Sequence, residues 1–536
     1  MWSALALLNV LIVCVVRASA LKNPNILFVL TDDQDVMLDG AKHQPKIARL
    51  LAAEGITIDN QFVSTPVCCP SRGSFVTGLH IHNIPMKNNS LEGNCSGVAW
   101  NENAEKRTVG VRMQKLGYKT FYAGKYLNQY GSPKAGGPQH VPPGWTDWQG
   151  LVGNSRYYNY TVSNNGVPEV HGDSYADDYL TDVVSNKTAA FIEKTLHESP
   201  DAPFFAIAAV PSCHAPHEPA PQHAYTFTGK PFSKAPRTPN FGKAYEDKHW
   251  FVRTIGSLWD SDPNRARMSD WEHVRRLETL LSVDDMVEKF VNILEAKGEL
   301  ENTFIFYTSD HGYHLGQFGL MLDKRFPYDF DIRTPSYVRG PGLAKGASTD
   351  IVMLNIDFVS TFVDIGGGGD KIEDVDGKSV YKALQAVGKG AEAVPRNFLV
   401  EYHGEHGGPP GGKDGVCKDQ WSEGMACWVE GEEKLAPGPF PDTLCSCQDS
   451  ANNTYACVRR VTPGGKAESE KSDPPAMGNF LYCQFNDDEN FEEFYNVAED
   501  EWQEKNIVRS LDPATLSQAR SLLARLRTCR GPSSCR

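Results

Sequence analysis

Two short apolar runs that each stop at a polar, acidic cluster constrain the fold most. Residues 25–31 (NILFVLT) are followed by the acidic run 32–35, and residues 303–308 (TFIFYT) by Ser309-Asp310-His311-Gly312. A third apolar run, Pro203 to Val210, precedes a loop with His214 and His217. Continuous apolar runs of this length predict strands that are buried on both faces.

Helical periodicity appears between these runs. Apolar residues recur at helical spacing from Val283 to Leu294, Ser282 and Asp285 can form a capping box, and Gly298 is placed to end the helix. Residues 108–116 predict another helix. Strands that alternate with helices predict an α/β sheet with helices on both faces. Chemistry in such sheets gathers at the carboxyl ends of the strands, where the three polar clusters lie.

The sequence changes character beyond about residue 380. Residues 407–415 and 436–441 are rich in glycine or proline and predict loops. Eight of the thirteen cysteines lie in the last 120 residues, at positions 417, 427, 445, 447, 457, 483, 529 and 535. In an oxidising compartment this clustering indicates disulfides; a zinc site is the alternative, although no paired C-x-x-C spacing supports it. We expect a catalytic domain over 21–380 and a smaller, cysteine-rich domain over 381–536.

Residues 1–20 predict a signal peptide, because an apolar stretch leads into Ala18-Ser19-Ala20; an uncleaved anchor is the alternative. No later segment is long and apolar enough to span a bilayer. Five N-x-S/T sequons indicate passage through the endoplasmic reticulum, and they begin at Asn88, Asn94, Asn159, Asn186 and Asn452. The net charge of −14 argues against a general nucleic-acid binder, because phosphate backbones require a basic face.

Cys68 opens the run Cys68-Cys69-Pro70-Ser71-Arg72, which continues to Thr77-Gly78. Taken alone, a cysteine in such a turn is more often buried or disulfide-bonded than reactive. The run resembles the C-x-P-S-R…T-G pattern of the sulfatase family, in which the first cysteine is oxidised to formylglycine. The resemblance implies the alkaline-phosphatase-like fold, with a large mixed sheet flanked by helices and a smaller C-terminal sheet.

Carboxylates at two strand ends suit a hard divalent cation, although acidic residues at such ends are also common as caps and solvated turns. The resemblance implies one calcium ion held by Asp32, Asp33, Asp310 and the formylglycine made from Cys68. His311 stands where many members of the family have asparagine. It is a further candidate ligand, although nitrogen suits calcium less well than oxygen.

The resemblance also implies three cationic residues around the sulfate, namely Arg72, Lys125 and Lys324. Fixed cations stabilise the negative charge that spreads over a transferring sulfuryl group. His217 matches the histidine that protonates the leaving oxygen, and His214 is the alternative. The family often has a further histidine two residues after the first lysine, where this chain has Leu127.

The implied mechanism is covalent. One hydroxyl of the hydrated formylglycine attacks sulfur in line, and His217 protonates the departing sugar oxygen. The second hydroxyl then loses its proton and expels sulfate as the aldehyde forms again. Loss of Cys14 with the leader and modification of Cys68 leave eleven of the thirteen cysteines. Because that number is odd, we expect a free thiol, at Cys69 or Cys213.

The resemblance to sulfatases extends from about residue 24 to the end of the chain. It is carried by the segments 88–96, 123–131, 157–162, 179–183, 247–250, 281–288, 310–331, 452–459 and 529–536. It implies a lysosomal exo-hydrolase that removes the 6-sulfate from terminal glucosamine residues of heparan or keratan sulfate. It also implies that a formylglycine-generating enzyme acts during maturation. Three alternatives remain open: a secreted arylsulfatase of broader range, a metal-dependent phosphodiesterase on the same fold, and an inactive glycan-binding protein.

Overall fold

A computed structural model describes residues 23–229, 234–261, 263–369, 372–390, 393–405, 425–429, 443–450, 452–465 and 478–535. The predicted signal peptide, Cys14, Cys417 and the two predicted loops at 407–415 and 436–441 lie outside these residues. Only the backbone is described for Cys427 and Cys445.

Ten strands of the described chain form one large mixed sheet, as predicted. They are β1 (Asn25–Thr31), β2 (Ile56–Phe62), β3 (Lys119–Lys125), β4 (Asp147–Leu151), β5 (Thr161–Asn164), β6 (Val167–Val170), β7 (Phe204–Ala209), β8 (Thr303–Ser309), β9 (Tyr337–Arg339) and β10 (Ala347–Leu354). Their order across the sheet is β10-β2-β9-β8-β1-β7-β3-β4-β5-β6. The three predicted apolar runs are the neighbouring strands β8, β1 and β7, which pair in parallel.

Helices cover both faces of this sheet. They are α1 (Pro45–Ile47), α2 (Cys68–Thr77), α3 (Val98–Glu102), α4 (Val109–Lys115), α5 (Tyr175–Asp178), α6 (Leu180–Glu198), α7 (Trp250–Ser257), α8 (Asn264–Ala296), α9 (Asp329–Ile332), α10 (Asp357–Ile365), α11 (Tyr381–Ala386) and α12 (Pro513–Leu526). Alternate side chains of β1 enter two different apolar clusters: Phe28 packs towards α10, and Val29 towards α8. The continuous apolar run of β1 reflects burial on both sides.

The long helix α8 differs from its predicted start. Ser282, the expected N-cap, lies in the interior of a helix that begins at Asn264. The first half of α8 buries charged side chains such as Glu272 and Arg276, so its apolar spacing is interrupted and does not reveal the helix. The predicted end is confirmed, because α8 stops just before Gly298, which has a φ of 70°.

The C-terminal residues form a separate four-stranded antiparallel sheet, which confirms the predicted smaller sheet. It consists of β11 (Arg396–Tyr402), β14 (Tyr455–Val461), β15 (Phe480–Phe485) and β16 (Glu492–Asn496), while β12 (Met425–Val429) and β13 (Thr443–Cys447) form a hairpin. One face packs on α12, and the other joins the large core, where the rings of Phe62 and Phe398 lie 5.2 Å apart. The domain boundary near residue 380 stays a prediction.

Disulfides join Cys69 to Cys95, Cys457 to Cys483 and Cys529 to Cys535, and Cys447 is also disulfide-bonded. The cysteine-rich C-terminal part is thus cross-linked, as predicted. The expected free thiol is Cys213, which is buried. Cys69 was the wrong alternative, because it lies against a second loop that carries Cys95.

The disulfide between β14 and β15 is expected to stabilise the C-terminal sheet. Replacing Cys457 and Cys483 together with alanine should lower the free energy of unfolding by about 3 kcal/mol, because the bond closes a loop and restricts the unfolded chain. Removing the Cys529–Cys535 bond should cost about 1 kcal/mol less, since its separation is 6 residues rather than 26. Urea denaturation of both variants measures this difference. Equal losses would contradict the loop-closure explanation.

The five predicted glycosylation sites differ in exposure. Asn159 and Asn186 are exposed, and Asn94 and Asn452 are half-buried. Asn88 is only 5% exposed, and its side-chain oxygen accepts hydrogen bonds from the Ser90 backbone and hydroxyl. A glycan therefore fits Asn159 and Asn186 more readily than Asn88. Within the described residues, no helix has the length and apolar character needed to cross a membrane.

Candidate active site

The polar clusters that end the central strands meet at one edge of the large sheet. Strands β8, β1, β7 and β3 are neighbours in this order and run parallel, so their carboxyl ends lie side by side. Asp310 follows β8, and Asp32 follows β1. Lys125 is the last residue of β3, and the loop after β7 lies between them. The position is the one expected for a site in an α/β sheet.

Cys68 is the first residue of α2 and is only 1% exposed. Its Sγ lies 3.9 Å from Asp32 Oδ1 and 3.4 Å from His311 Nε2. Burial raises the pKa of the Cys68 thiol, but Lys125 and Lys324 outweigh it and hold that pKa well below its usual value. The positive end of the helix dipole acts in the same direction. The site therefore favours an anionic group at residue 68.

Three carboxylates and one imidazole surround this thiol. Asp32, Cys68, Asp310 and His311 each place one potential ligand atom within 4.8 Å of the others. Asp33 joins them, because its backbone N–H donates to Asp310 Oδ1 at 3.1 Å. His311 Nδ1 lies 2.9 Å from the Gly312 carbonyl, and its Nε2 lies 3.5 Å from Asp33 Oδ1. Burial lowers the pKa of His311, but Asp310 and Cys68 outweigh it and raise that pKa to about 9. With Nδ1–H donating to the Gly312 carbonyl, only a neutral ring would offer the lone pair of Nε2 to a cation held by the carboxylates.

The chemistry of this donor set fits a divalent cation. Buried carboxylates that lie this close repel one another unless positive charge or a proton accompanies them. Burial and the charge of Asp32 raise the pKa of Asp310 to about 6. Carboxylate oxygens are preferred ligands of hard divalent cations, and His311 adds one nitrogen. The predicted ligand residues therefore lie together and are suited to such an ion.

Each of the three carboxylates also has a cationic partner. Lys125 Nζ lies 2.7 Å from Asp32 Oδ2, and Lys324 Nζ lies 2.8 Å from Asp33 Oδ1. Arg72 Nε lies 2.8 Å from Asp310 Oδ2, and its Nη1 donates to the Lys125 carbonyl at 2.7 Å. All three cationic side chains are buried. The predicted cations thus surround Cys68 with fixed positive charge.

The structure separates the two candidate histidines. A ring nitrogen of His214, a carboxylate oxygen of Asp33 and Cys68 Sγ lie within 4.8 Å of one another, and His214 is partly exposed. His217 is buried, and its ring nitrogens contact the Cys213 carbonyl at 2.9 Å and Glu272 Oε1 at 3.3 Å. Proximity to Cys68 therefore favours His214, and the assignment of His217 stays a prediction.

Several polar contacts of the site were not anticipated. The Ser155 hydroxyl donates to Asp32 Oδ2 at 2.5 Å, and Arg276 donates to the Asp33 carbonyl at 2.8 Å. Ser155 lies shortly after β4, so its place beyond a strand end could have suggested it. Arg276 lies within α8 and carries no such signal. The side chain of Leu127 is fully buried in the apolar core, so it cannot replace the polar contact of the family's histidine.

A family model described as Sulfatase matches residues 24–368 of this chain. The N-acetylglucosamine-6-sulfatase of Homo sapiens is 40% identical over 522 residues, which cover 96% of this chain and 86% of that protein. The putative extracellular sulfatase Sulf-1 homolog of Caenorhabditis elegans is 40% identical over 343 residues, which cover 64% of this chain and 46% of that protein.

Solved structures show the same architecture. The structure of BT4656 in complex with its substrate D-glucosamine-2-N,6-O-disulfate has a TM-score of 0.65 and 22% sequence identity, and the match covers 94% of this chain and 97% of that one. This likeness confirms the alkaline-phosphatase-like fold predicted from the sequence.

Proposed function

Because this chain belongs to the sulfatase family, we propose that it hydrolyses the 6-sulfate ester of N-acetylglucosamine residues in heparan sulfate or keratan sulfate. The observation that carries the proposal is the assembly around Cys68, where three carboxylates and three buried cations surround one potential nucleophile. The choice of sugar is supported by the near full-length similarity to the human N-acetylglucosamine-6-sulfatase.

We propose that Cys68 is oxidised to formylglycine, whose hydrated form supplies the attacking hydroxyl. The residues around position 68 suit this role. The N-terminus of α2 and the nearby Lys125 and Lys324 stabilise negative charge there. Burial of the side chain keeps other nucleophiles and bulk water away from the reacting group.

Calcium is the proposed ion, because oxygen ligands dominate the site. Asp32, Asp33, Asp310 and residue 68 would hold it, with His311 as a further ligand. When bound, a divalent cation supplies Lewis-acid stabilisation of negative charge on oxygen. Ser155 orients one of the ligands, since its hydroxyl donates to Asp32.

Arg72, Lys125 and Lys324 are proposed to stabilise the transferring sulfuryl group. Each of them is buried and held by a carboxylate, so its charge is already in position before substrate binds. Such preorganised charge stabilises a transition state more than mobile surface charge does. The three residues therefore contribute to the chemical step more than to initial binding.

His214 is proposed as the group that protonates the departing sugar oxygen. It lies close to Cys68 and is partly exposed, so an incoming sugar can reach it. Its Nδ1 contacts the Ala215 carbonyl at 2.6 Å, which fixes the ring. His217, predicted from the family pattern, is the alternative donor.

Replacing His214 with alanine should affect two substrates differently. Turnover of N-acetylglucosamine 6-sulfate should fall about 100-fold or more, because a sugar alkoxide leaves poorly without a proton. Turnover of 4-nitrophenyl sulfate should fall by less than about threefold, because its leaving group departs as a stable anion. Steady-state kcat on both esters measures the difference. If His217→Ala shows this pattern while His214→Ala leaves turnover of both esters unchanged, the proton donor is His217.

The substrate proposal is tested by comparing sulfate esters with the unaltered enzyme. We expect the highest kcat/KM on N-acetylglucosamine 6-sulfate, with the 3-sulfate isomer as the control for position on the sugar. A kcat/KM many-fold higher on 4-nitrophenyl sulfate would instead favour an arylsulfatase of broader range.

We also propose delivery to the lysosome through the secretory pathway, with secretion as the alternative, and modification by a formylglycine-generating enzyme on the way. Three features support this route: the predicted signal peptide, the sequons at exposed asparagines and the disulfides. A catalytic domain ending near residue 380 and a cysteine-rich C-terminal domain complete the proposed organisation.

A further inference from the structure

Glu272 is a buried acid that the proposed reaction does not use. It lies in the first half of α8 and is 1% exposed. Its Oε1 accepts a hydrogen bond from the Tyr313 hydroxyl at 2.5 Å and lies 3.3 Å from His217 Nε2. Its Oε2 has no hydrogen-bond partner among the described residues. One carboxylate therefore connects α8 to two loops at the active-site edge of the sheet.

The first of these loops follows β7 and carries both His214 and His217. His217 Nδ1 contacts the Cys213 carbonyl at 2.9 Å, and the His217 backbone N–H donates to the His214 carbonyl at 3.2 Å. His217 thus contacts backbone on both sides of the His214 side chain. It has a φ of 56°, which a residue other than glycine adopts only when its surroundings hold it. Whatever fixes the His217 ring also fixes the path of the chain at His214.

The second loop carries Tyr313, two residues after His311. The Tyr313 ring lies 3.8 Å from the guanidinium carbon of Arg276. Arg276 in turn donates to the Asp33 carbonyl at 2.8 Å and to Asp35 Oδ1 at 3.1 Å. Tyr313 is therefore held in place independently of the His214 loop. Its hydroxyl orients the Glu272 carboxylate, which is then ready to hold His217.

The charge on Glu272 matters for this contact. Burial raises the pKa of Glu272, but His217 and Tyr313 outweigh it and lower that pKa below its usual value. Both ring nitrogens of His217 face oxygen atoms, one of the Cys213 carbonyl and one of the Glu272 carboxylate. Buried ion pairs are often no more stabilising than apolar residues of the same size. A role in orienting the loop does not require the pair to stabilise the fold.

We propose that Glu272 is a positioning residue for proton transfer, because through His217 it holds the loop that presents His214 to Cys68. The inference rests on the proposed function, in which His214 protonates the leaving oxygen. A loosened loop moves His214 relative to the ester oxygen, and a misplacement of about 1 Å in a reacting group costs about 100-fold in rate.

The test uses full-length modified enzyme with Glu272→Gln, which keeps the size of the side chain and removes its charge. We expect kcat on N-acetylglucosamine 6-sulfate to fall about 10- to 100-fold with little change in KM. The kcat on 4-nitrophenyl sulfate should fall by less than about threefold, since this ester needs no proton donor. His217→Phe should show the same pattern, and the double variant should be no worse than either single variant.

Glu278→Gln is the matched control. Glu278 is a buried carboxylate of the same helix, and it pairs with Arg275 at 2.9 Å. Its variant should lose a similar amount of thermal stability with unchanged kcat on both esters. Equal losses on the two esters in Glu272→Gln, or a loss that Glu278→Gln reproduces, would mean that Glu272 is only structural and would overturn the inference.

The same measurements separate this inference from the proposed function. Absence of turnover of either ester by unaltered enzyme would refute the function itself. A selective loss on the sugar ester in His214→Ala, without such a loss in Glu272→Gln, would refute only the role of Glu272.

Discussion

Replacing Cys68 with alanine is expected to abolish sulfate ester hydrolysis, with kcat on N-acetylglucosamine 6-sulfate falling about 10⁴-fold or more. The reason is that residue 68 is the proposed nucleophile, at the centre of the carboxylates and cations. Alanine removes only the thiol from a buried helix terminus, so the fold should persist. Steady-state kinetics and thermal unfolding measure the two effects separately. Retained turnover in Cys68→Ala would refute the nucleophile assignment.

Cys68→Ser provides a more informative companion variant. A serine hydroxyl can attack sulfur and release the sugar alcohol, but it has no second hydroxyl on the same carbon to expel sulfate. We therefore expect one turnover, after which the oxygen of the introduced serine carries the SO3 group. Mass spectrometry of the peptide that contains residue 68 should detect this added group. The same measurement on unaltered enzyme should find formylglycine rather than cysteine.

Replacing Asp310 with asparagine is expected to lower kcat about a thousandfold, equivalent to about 4 kcal/mol of transition-state stabilisation. The substitution removes one charged ligand of the proposed cation. It also leaves the buried Arg72 without its nearest carboxylate, at 2.8 Å. Elemental analysis of purified protein should show reduced divalent metal, and kinetics should show the loss of kcat.

Asp357→Asn is the control for this second variant. Asp357 is also a fully buried carboxylate, but its cationic partner is Arg396, whose Nη2 donates to Asp357 Oδ1 at 2.9 Å, and not one of the three cations around Cys68. Both variants should lower the melting temperature, because both leave a buried guanidinium poorly paired. Only Asp310→Asn should lose metal and kcat. If metal content and kcat stay normal in Asp310→Asn, Asp310 is not a ligand.

The central strands were predictable because their signal is local. A strand buried on both faces must be apolar at every position, so β1 and β8 can be recognised from their own residues. The start of α8 could not be predicted in this way. Buried charged residues such as Glu272 and Arg276 replace apolar ones there, and each depends on partners that lie far away in sequence.

The site was predictable to the extent that its residues lie in a recognisable pattern. Asp32, Asp33, Cys68 and Asp310 follow strands or open a helix, and the structure brings them together. The choice between His214 and His217 depends on which ring turns towards Cys68, and sequence spacing carries no such information. The disulfide partner of Cys69 was likewise unpredictable, because only the folded chain brings Cys95 beside it.

The burial of Cys68 sets an order of events during biosynthesis. An enzyme that oxidises this residue has to bind the surrounding segment. In the folded protein, however, every residue of α2 is buried, and the adjacent Cys69 is bonded to Cys95. On our proposal, oxidation of Cys68 must therefore precede closure of that disulfide and collapse of the sheet around the helix. Newly made chains that fold before oxidation would reach their destination intact but inert. The active fraction of a preparation would then depend on the rate of Cys68 oxidation relative to the rate of folding.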